Sequence, residues 1–275
     1  MANTIQVSIN VADQVTKDLL VAALTASGFD AFEETDNQLL AFIPEENYNS
    51  ETIVDLITAH NLAFTSNLIQ EQNWNAVWES NFHPVVIGSF CAIRAHFHQA
   101  FTNVVHEIVI TPKMSFGTGH HATTFMMVSE MSKLDFTNKT VADFGTGTGV
   151  LAILADKMNA ASVWAIDYDD WSIENASENI ERNNCKSIHL EKADAFKTEQ
   201  KFDIILANIN RNVILDNVDG LLASMKTGSQ LLLSGLLTSD ENDIISAFRA
   251  YGLKHLSTVE RNNWICILLG YGNNV

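Results

Sequence analysis

The first seventy residues alternate between the hydrophobic patterns of strands and helices. Polar and apolar positions alternate from Thr4 to Val11, the period of a half-buried strand, whereas apolar residues recur at helical spacing from Asp13 to Ser27. The pattern then predicts strands and one helix, in the order Ala31–Glu34, Gln38–Ile43, helix Ser50–His60 and Leu62–Ile69. This β-α-β-β-α-β order is typical of the ferredoxin-like fold, so we expect a small α+β domain over residues 1–70.

A connecting segment, residues 71–84, separates this region from the rest of the chain. Trp74, Val77 and Trp78 have the spacing of a short amphipathic helix, which His83-Pro84 would end. Strand-like segments follow it, at Val85–Ile87, Phe90–Ala95 and Val105–Ile110.

From Thr140 onward, strand patterns alternate with helix patterns. The predicted strands are Thr140–Phe144, Ser162–Ile166, Ile188–Lys192, Phe202–Ala207, Gln230–Ser234, Leu253–Arg261 and Trp264–Gly270. The predicted helices are Val150–Asn159, Ser172–Asn183, Val213–Met225 and Glu241–Tyr251. Such alternation specifies a mostly parallel sheet with helices on both faces, so we expect a Rossmann-like α/β domain over residues 85–275.

The composition is that of a globular protein, with 47% hydrophobic and 18% charged residues. The longest apolar runs are too short to cross a bilayer, and the N-terminus lacks the basic and apolar regions of a secretory signal. We therefore expect a cytoplasmic protein that does not bind membranes. The three cysteines, Cys91, Cys185 and Cys266, lie far apart, which argues against disulfides and thiolate metal sites.

Sixteen basic and 33 acidic residues give a formal net charge of −17. A surface this negative repels phosphate backbones and attracts a basic protein or a cationic small molecule, so direct nucleic-acid binding is disfavoured. The alternative interpretation is that the acidity only keeps the protein soluble. No metal site is expected either, because adjacent histidines such as His120 and His121 usually point apart and no Glu or Cys is placed to complete a site.

The most informative motif runs from Asp143 to Gly149, where a short buried strand ends in three alternate glycines before a helix. Gly145 and Gly147 let the chain turn sharply and let a ligand approach the backbone. Dinucleotide dehydrogenases use G-x-G-x-x-G to receive a pyrophosphate, whereas the spacing here is G-x-G-x-G. Because Asp143 stands beside the loop, a cationic ligand such as S-adenosylmethionine fits this motif better than a diphosphate.

Two further carboxylates follow the next strands. Asp167 ends a strand 22 residues after Gly145, where a carboxylate can accept both ribose hydroxyls of an adenosine. Asp194 follows the third strand, in a position suited to an adenine amino group beside the apolar ring of Phe196; the alternative for Asp194 is a turn or N-cap residue. Together, the motifs on successive strands indicate an adenosyl cofactor.

Asn208 follows the fourth strand, Phe202–Ala207, near where a methyl group would be presented. Its side-chain oxygen can accept a hydrogen bond from an amine and so orient the nitrogen lone pair for an in-line displacement. We therefore predict Asn208 to be the catalytic residue. The alternative is an N-cap, a role that Asn210 or Asn212 could take instead.

A loop from Lys113 to Thr124 combines two glycines, several hydroxyls and the aromatic Phe116, which suggests a mobile cover over the cofactor. This loop, together with Asp143–Gly149, Asp167, Ala207-Asn208-Ile209 and Leu233–Leu237, resembles the ribosomal protein L11 methyltransferase family. The resemblance implies a class I methyltransferase domain that trimethylates amino groups of a basic ribosomal protein.

The same resemblance implies roles for individual residues. Thr124, Gly145, Asp167 and Asn208 match positions that contact S-adenosylmethionine, and Phe116 matches a loop aromatic near the cofactor. The N-terminal module would recognise the substrate protein. The chain departs from the usual family pattern at six positions, namely His120, Ala122, Thr146, Thr148, Asn210 and Arg211.

Three alternatives remain open at this point. The acceptor could be another protein, a small amine or RNA, although the net charge speaks against RNA. An NAD-dependent oxidoreductase is disfavoured by the glycine spacing, and a non-catalytic adenosyl-binding module would not need both Asp167 and Asn208. We expect a monomer, because a bulky protein substrate has to reach the cofactor.

Overall fold

Two units make up the chain, residues 1–81 and residues 82–275. The computed structural model describes residues 3–69, 82–113 and 116–271. The connecting helix predicted around Trp74 and Trp78 lies outside the described residues, as does Ser115 of the predicted cover loop.

The first unit has its elements in the predicted order. Its strands are β1 (Thr4–Asn10), β2 (Ala31–Thr35), β3 (Gln38–Pro44) and β4 (Phe64–Ile69), and its helices are α1 (Gln14–Ala26) and α2 (Ser50–Thr58). The strands form an antiparallel sheet in the order β2-β3-β1-β4. Alternate β1 residues such as Val7 and Ile9 are buried against Leu20 and Leu24 of α1, as the period-two pattern predicted.

The second unit begins with a small three-stranded sheet. Its strands are β5 (Val85–Ile87), β6 (Cys91–Ala95) and β7 (His106–Ile110), in that order, with β6 and β7 parallel. The sequence predicts all three strands but does not indicate that they form a sheet separate from the main one.

The main sheet of the second unit has seven strands in the order β10-β9-β8-β11-β12-β14-β13. They are β8 (Thr140–Phe144), β9 (Ser162–Asp167), β10 (Ile188–Lys192), β11 (Phe202–Asn208), β12 (Met225–Leu237), β13 (Lys254–Arg261) and β14 (Trp264–Gly270). The first five in that order are parallel to one another, whereas β14 is antiparallel to both of its neighbours. The carboxyl ends of five parallel strands therefore meet along one edge.

Helices cover both faces of this sheet. They are α3 (Ala122–Met131), α4 (Val150–Lys157), α5 (Asp170–Arg182), α6 (Arg211–Asp216), α7 (Val218–Ala223) and α8 (Glu241–Arg249). Successive residues of one strand enter opposite cores, so Val141 packs with α4 whereas Ala142 packs on the other face. Within the described ranges, no helix combines the length and apolar character needed to cross a membrane.

The single helix predicted over Val213–Met225 is wrong. Two short helices, α6 and α7, meet at Asn217, whose side chain accepts a hydrogen bond from the Phe196 amide and donates one to the Val213 carbonyl. Met225 already belongs to β12, so the strand predicted at Gln230–Ser234 is much longer than its pattern indicated. A side chain bonded across the fold interrupts the helix, which local periodicity cannot reveal.

Candidate functional site

A cavity of about 630 Å³ opens at the edge where the parallel strands end. Its lining follows the strand order: Asp194 comes after β10, Asp167 ends β9, Gly145 follows β8 and Asn208 ends β11. Ligands of open α/β sheets bind at this edge, because side chains from neighbouring strands converge there. The cavity also includes Phe116 and Gly147, so six of the eight residues predicted to form the site line it.

The glycine loop packs too closely against its neighbours to carry side chains. Gly145 and Gly147 have positive φ angles of 74° and 55°. A Cβ on Gly145 would collide with the side chain of Ile209, and one on Gly147 with the carbonyl oxygen of Phe116. The loop therefore presents bare backbone to the cavity, as the motif predicted.

Asp167 connects the glycine loop to the end of β9. One carboxylate oxygen accepts a hydrogen bond from the Gly147 amide at 2.9 Å, and the other accepts one from the Asp169 amide at 3.1 Å. The residue is 7% exposed and lines the cavity. Because an ionised carboxylate offers about four acceptor positions, Asp167 can still accept the two hydroxyls of a ribose.

Asp194 is exposed at the rim of the cavity beyond Asp167. Phe196, predicted to form an apolar wall beside it, does not line the cavity. Its ring is buried in the core, 5.4 Å from the ring of Phe144 and 5.3 Å from that of Trp164. The apolar surface next to Asp194 therefore comes from other residues.

Asp143 lies beneath the glycine loop and does not line the cavity. One of its oxygens accepts hydrogen bonds from the Thr146 hydroxyl at 2.6 Å and the Ala152 amide at 3.2 Å, while Oδ1 has no partner among the described residues. Complete burial raises the pKa of Asp143 to about 7, and the charge of Asp167 acts in the same direction. Asp143 thus supports the loop from below.

Asn208 and Thr124 form a buried pair. The Asn208 amide donates to the Thr124 hydroxyl at 3.2 Å, and its Oδ1 has no partner among the described residues. Thr124 itself is buried and does not line the main cavity. The N-cap of α6 is Asn210, which accepts from the Val213 amide, so Asn208 is not needed for that role.

Thr148 fastens the predicted cover loop to the glycine loop. Its amide donates to the Phe116 carbonyl at 3.0 Å, and its hydroxyl donates to the Gly117 carbonyl at 2.9 Å. The Thr148 carbonyl in turn accepts from the Asn179 side chain at 2.9 Å. The described part of the cover loop is therefore held by hydrogen bonds rather than by side-chain packing alone.

Helix α5 binds the chain just before this loop through a column of asparagines. Asn175, Asn179 and Asn183, four residues apart, face the strand end formed by Val109 and Thr111. Asn183 accepts from the Val109 amide and donates to its carbonyl, Asn179 accepts from the Thr111 amide, and Asn175 donates to the Thr111 carbonyl. These side chains replace the partners that a neighbouring strand would supply.

Several residues that line the cavity are not among the site residues predicted from the sequence. They are His121, Thr123, Tyr168, Asp169, Ser172, Ala193, Ile209, Asn210, Val213, Gly235 and Trp264, together with Phe144 of the glycine motif. Ile209 and Asn210 directly follow Asn208, so their place could have been inferred. Trp264 carries no local signal, because only the pairing of β14 with β12 brings it to this edge.

His121 is the N-cap of α3, and its Nδ1 accepts hydrogen bonds from the Thr123 amide and hydroxyl. His120 instead bonds through Nε2 to the His83 carbonyl, so the two adjacent rings have different partners. Among the described residues, no three His, Cys, Asp or Glu side chains are grouped so that they could hold a metal ion.

Comparison with known proteins gives consistent matches. The family model described as ribosomal protein L11 methyltransferase (PrmA) matches residues 5–270. A protein of that name from Porphyromonas gingivalis is 39% identical over 258 residues, covering 91% of this chain and 89% of its own. One from Bacteroides fragilis is 36% identical over 262 residues, covering 92% and 94%. The crystal structure of a ribosomal protein L11 methylase from Lactobacillus delbrueckii subsp. bulgaricus is 28% identical with a TM-score of 0.64, covering 69% of this chain and 99% of that one.

Proposed function

The chain belongs to the ribosomal protein L11 methyltransferase family, and we propose that it transfers methyl groups from S-adenosylmethionine to amino groups of ribosomal protein L11. The second unit has the α/β methyltransferase fold with a mixed sheet. The acceptor groups are lysine side chains, the N-terminal amine, or both. This proposal rests on Asn208, which lines the cavity at the end of β11 and whose buried Oδ1 has no partner among the described residues.

The cavity suits a cationic adenosyl cofactor. Asp167 would accept the ribose hydroxyls, Asp194 the adenine amino group, and the bare backbone at Gly145 and Gly147 would lie against the amino-acid part. Phe116 would contact the same cofactor from the cover loop. When bound, S-adenosylmethionine supplies a methyl group activated by its positively charged sulfur.

Asp143 and Thr124 act on the cofactor through their neighbours. Asp143 holds Thr146 and Ala152 and so fixes the shape of the glycine loop. Thr124 accepts from the amide nitrogen of Asn208, which leaves Oδ1 of Asn208 as an acceptor without a partner among the described residues. Both are positioning residues in this arrangement, although the sequence led us to expect direct contacts.

Asn208 orients the acceptor amine. Its Oδ1 accepts an N–H of the amine, which aims the nitrogen lone pair at the methyl carbon. The lone pair forms the new N–C bond while the C–S bond breaks and leaves its electron pair on sulfur. The resulting ammonium then loses a proton to solvent. Alignment and exclusion of water are the contributions of the protein, and no protein nucleophile takes part.

We propose that the N-terminal region, residues 1–70, has the ferredoxin-like fold and recognises the substrate protein. Residues 71–84 would join it to the catalytic domain, residues 85–275. The sheet order β2-β3-β1-β4 supports the fold. Residues 3–69 contain ten acidic residues and a single lysine, Lys17, which suits recognition of a basic protein. We also propose that the protein acts as a monomer in the cytoplasm.

The test is mass spectrometry of recombinant L11 after incubation with the enzyme and S-adenosylmethionine. We expect mass gains of about 14 Da per methyl group, and none with the Asp167→Ala variant. Asp170→Ala is the matched control, because Asp170 is exposed, its carboxylate accepts a hydrogen bond from Lys192, and it does not line the cavity. Tight cofactor binding without any gain on L11 would mean a different acceptor.

A further inference from the structure

The cavity is charged at one end and aromatic at the other. The carboxylates of Asp167, Asp169 and Asp194 follow β9 and β10. The far end contains the rings of Phe116, His121 and Trp264, which we call the aromatic wall. The centroid of His121 lies 5.2 Å from that of Phe116 and 4.8 Å from that of Trp264.

The strand order places Trp264 of the aromatic wall beyond Asn208, on the side away from the carboxylates. In the sheet, β11 lies between β8 and β12, and Asn208 pairs with Ser234 of β12. Trp264 pairs with Leu237, three residues further along β12, and belongs to the next strand, β14. Asn208 therefore lies between the carboxylates, which suit the adenosyl group, and Trp264.

A tight turn fixes the backbone position of Trp264. It is the first residue of β14, directly after the two-residue turn Asn262-Asn263, where both φ angles are positive at 55° and 65°. Such angles are those of a tight hairpin turn that matches the strand twist. The Asn263 carbonyl also accepts from the Thr238 amide at 3.1 Å, which ties the turn to the end of β12.

The ring of His121 is also held in place. Because a backbone amide can only donate, Nδ1 of His121 is the acceptor of the Thr123 N–H, and a neutral ring carries its proton on Nε2. The contacts with Thr123 therefore orient the His121 ring within the wall.

An aromatic surface distinguishes methylated amines in a way that carboxylates do not. Each methyl group added to an ammonium replaces an N–H donor, so a site built from carboxylates loses hydrogen bonds at every step. An aromatic ring attracts the cation whether its substituents are hydrogen or methyl. A dimethylated ammonium keeps one N–H for Oδ1 of Asn208, which has no partner among the described residues.

We propose that the aromatic wall of Phe116, His121 and Trp264 binds the methylated ammonium of the acceptor side chain and so retains partly methylated amines for further methylation. This inference rests on the proposed function, and it assigns to Trp264 the control of how many methyl groups each amine receives. Between transfers the ammonium gives up its proton to water, and the freed lone pair forms the next N–C bond as a C–S bond breaks. The dimethylated amine then has no N–H left for Asn208, so its alignment for the third transfer depends on the aromatic wall.

The first experiment follows mono-, di- and trimethylated L11 over time by mass spectrometry, with wild type, Trp264→Phe and Trp264→Leu. We expect Trp264→Leu to slow the second and third transfers about fivefold relative to the first, because the cation loses its ring, and Trp264→Phe to restore most of the difference. Trp171→Leu is the matched control, since Trp171 is 75% exposed and does not line the cavity. An unchanged methylation pattern in Trp264→Leu would overturn the proposal.

A binding experiment separates this inference from the proposed function. Wild type and Trp264→Leu are titrated with trimethyllysine amide and with its neutral analogue, in which carbon replaces the quaternary nitrogen. Wild type should bind the cation about fivefold more tightly, and the variant should lose that preference. Failure of wild type to methylate L11 would defeat the proposed function while leaving this binding test intact.

Two other outcomes would also contradict the role proposed for the aromatic wall. Equal affinity of wild type for the charged and neutral probes would overturn it. So would a Trp264→Leu variant that weakens S-adenosylmethionine alone, because the ring would then serve the cofactor. Should Trp264→Leu fail to fold, Phe116→Leu provides the comparison, since Phe116 is 53% exposed. The affinity for S-adenosylmethionine is then measured alongside, because Phe116 would also contact the cofactor.

Discussion

Single residues that look alike along the chain take different roles because their hydrogen-bond partners differ. Asn208 and Asn210 are two positions apart, yet Asn210 caps α6 whereas Asn208 has a buried oxygen with no partner among the described residues. Asp143 and Asp167 both stand near the ends of neighbouring strands. Asp167 reaches the cavity, whereas Asp143 is enclosed under the glycine loop.

Asn208→Ala should reduce kcat by about 100-fold, because the amine would no longer be aligned with the methyl carbon. Binding of S-adenosylmethionine, measured by titration calorimetry, should change much less. Asn212→Ala is the control, since Asn212 is exposed on α6 and lies outside the cavity. Equal losses in kcat and cofactor affinity would make Asn208 a cofactor ligand instead.

Asp143 should make the stability of the protein depend on pH. Its pKa is about 7 in the folded protein, compared with the usual value of 3.8 that applies to the unfolded chain. Between these two pH values the folded state therefore holds a proton that the unfolded state has released. This contribution to the free energy of unfolding is complete below pH 3.8 and is lost as the pH rises to about 7.

The variant Asp143→Asn should therefore show a smaller decline in the free energy of unfolding than wild type over that pH range, measured by urea denaturation. The asparagine oxygen can still accept from Thr146 and Ala152. The same pH dependence in both proteins would show that Asp143 does not titrate with folding.

Helix α5 is the element that connects the loops of the site. It begins just after Asp167, and its asparagines hold the strand end at Thr111 and the carbonyl of Thr148. Thr148 holds Phe116 and Gly117 in turn. A single rigid helix thus positions the cover loop relative to the glycine loop.

Asn179→Ala should lower the free energy of unfolding by about 1–3 kcal/mol, because it leaves the half-buried Thr111 amide and the buried Thr148 carbonyl without their partners. Urea denaturation measures the change. Glu181 on the same helix is exposed, so Glu181→Ala should change the free energy of unfolding very little. A loss of equal size in both variants would mean that Asn179 contributes only to the general stability of the helix.

The whole molecule carries its charge unevenly. The ten acidic residues and one lysine of residues 3–69 make the N-terminal unit strongly negative, in a protein whose net charge is −17. Such a surface speeds the encounter with a basic substrate, mainly through the association rate. The effect weakens as salt shortens the range of electrostatic attraction.

We expect kcat/KM for L11 to fall at least about tenfold between low and high ionic strength, with kcat nearly unchanged. A short neutral peptide containing one lysine serves as the control substrate and should show little salt dependence. Replacing the exposed Glu33 and Asp36 by lysine should reduce the dependence for L11. Rates on L11 that do not respond to salt would contradict charge-guided encounter.

Periodicity by itself determined the kind and order of nearly all the elements, because hydrophobic spacing reports which face of a local segment is buried. The glycine motif and the acid that ends β9 also predicted the core of the site, since parallel strands bring their carboxyl ends to one edge. The break between α6 and α7 was missed, because Asn217 bonds to the distant Phe196.

Only the tertiary structure decided what meets across long separations. Thr124 and Asn208 are 84 positions apart, and Trp264 reaches His121 through the antiparallel pairing of β14 with β12. Strand order and register depend on packing summed over the whole sheet, so no local pattern specifies them. For the same reason the sequence placed Asp143 near the cofactor, whereas the folded chain encloses it beneath the loop.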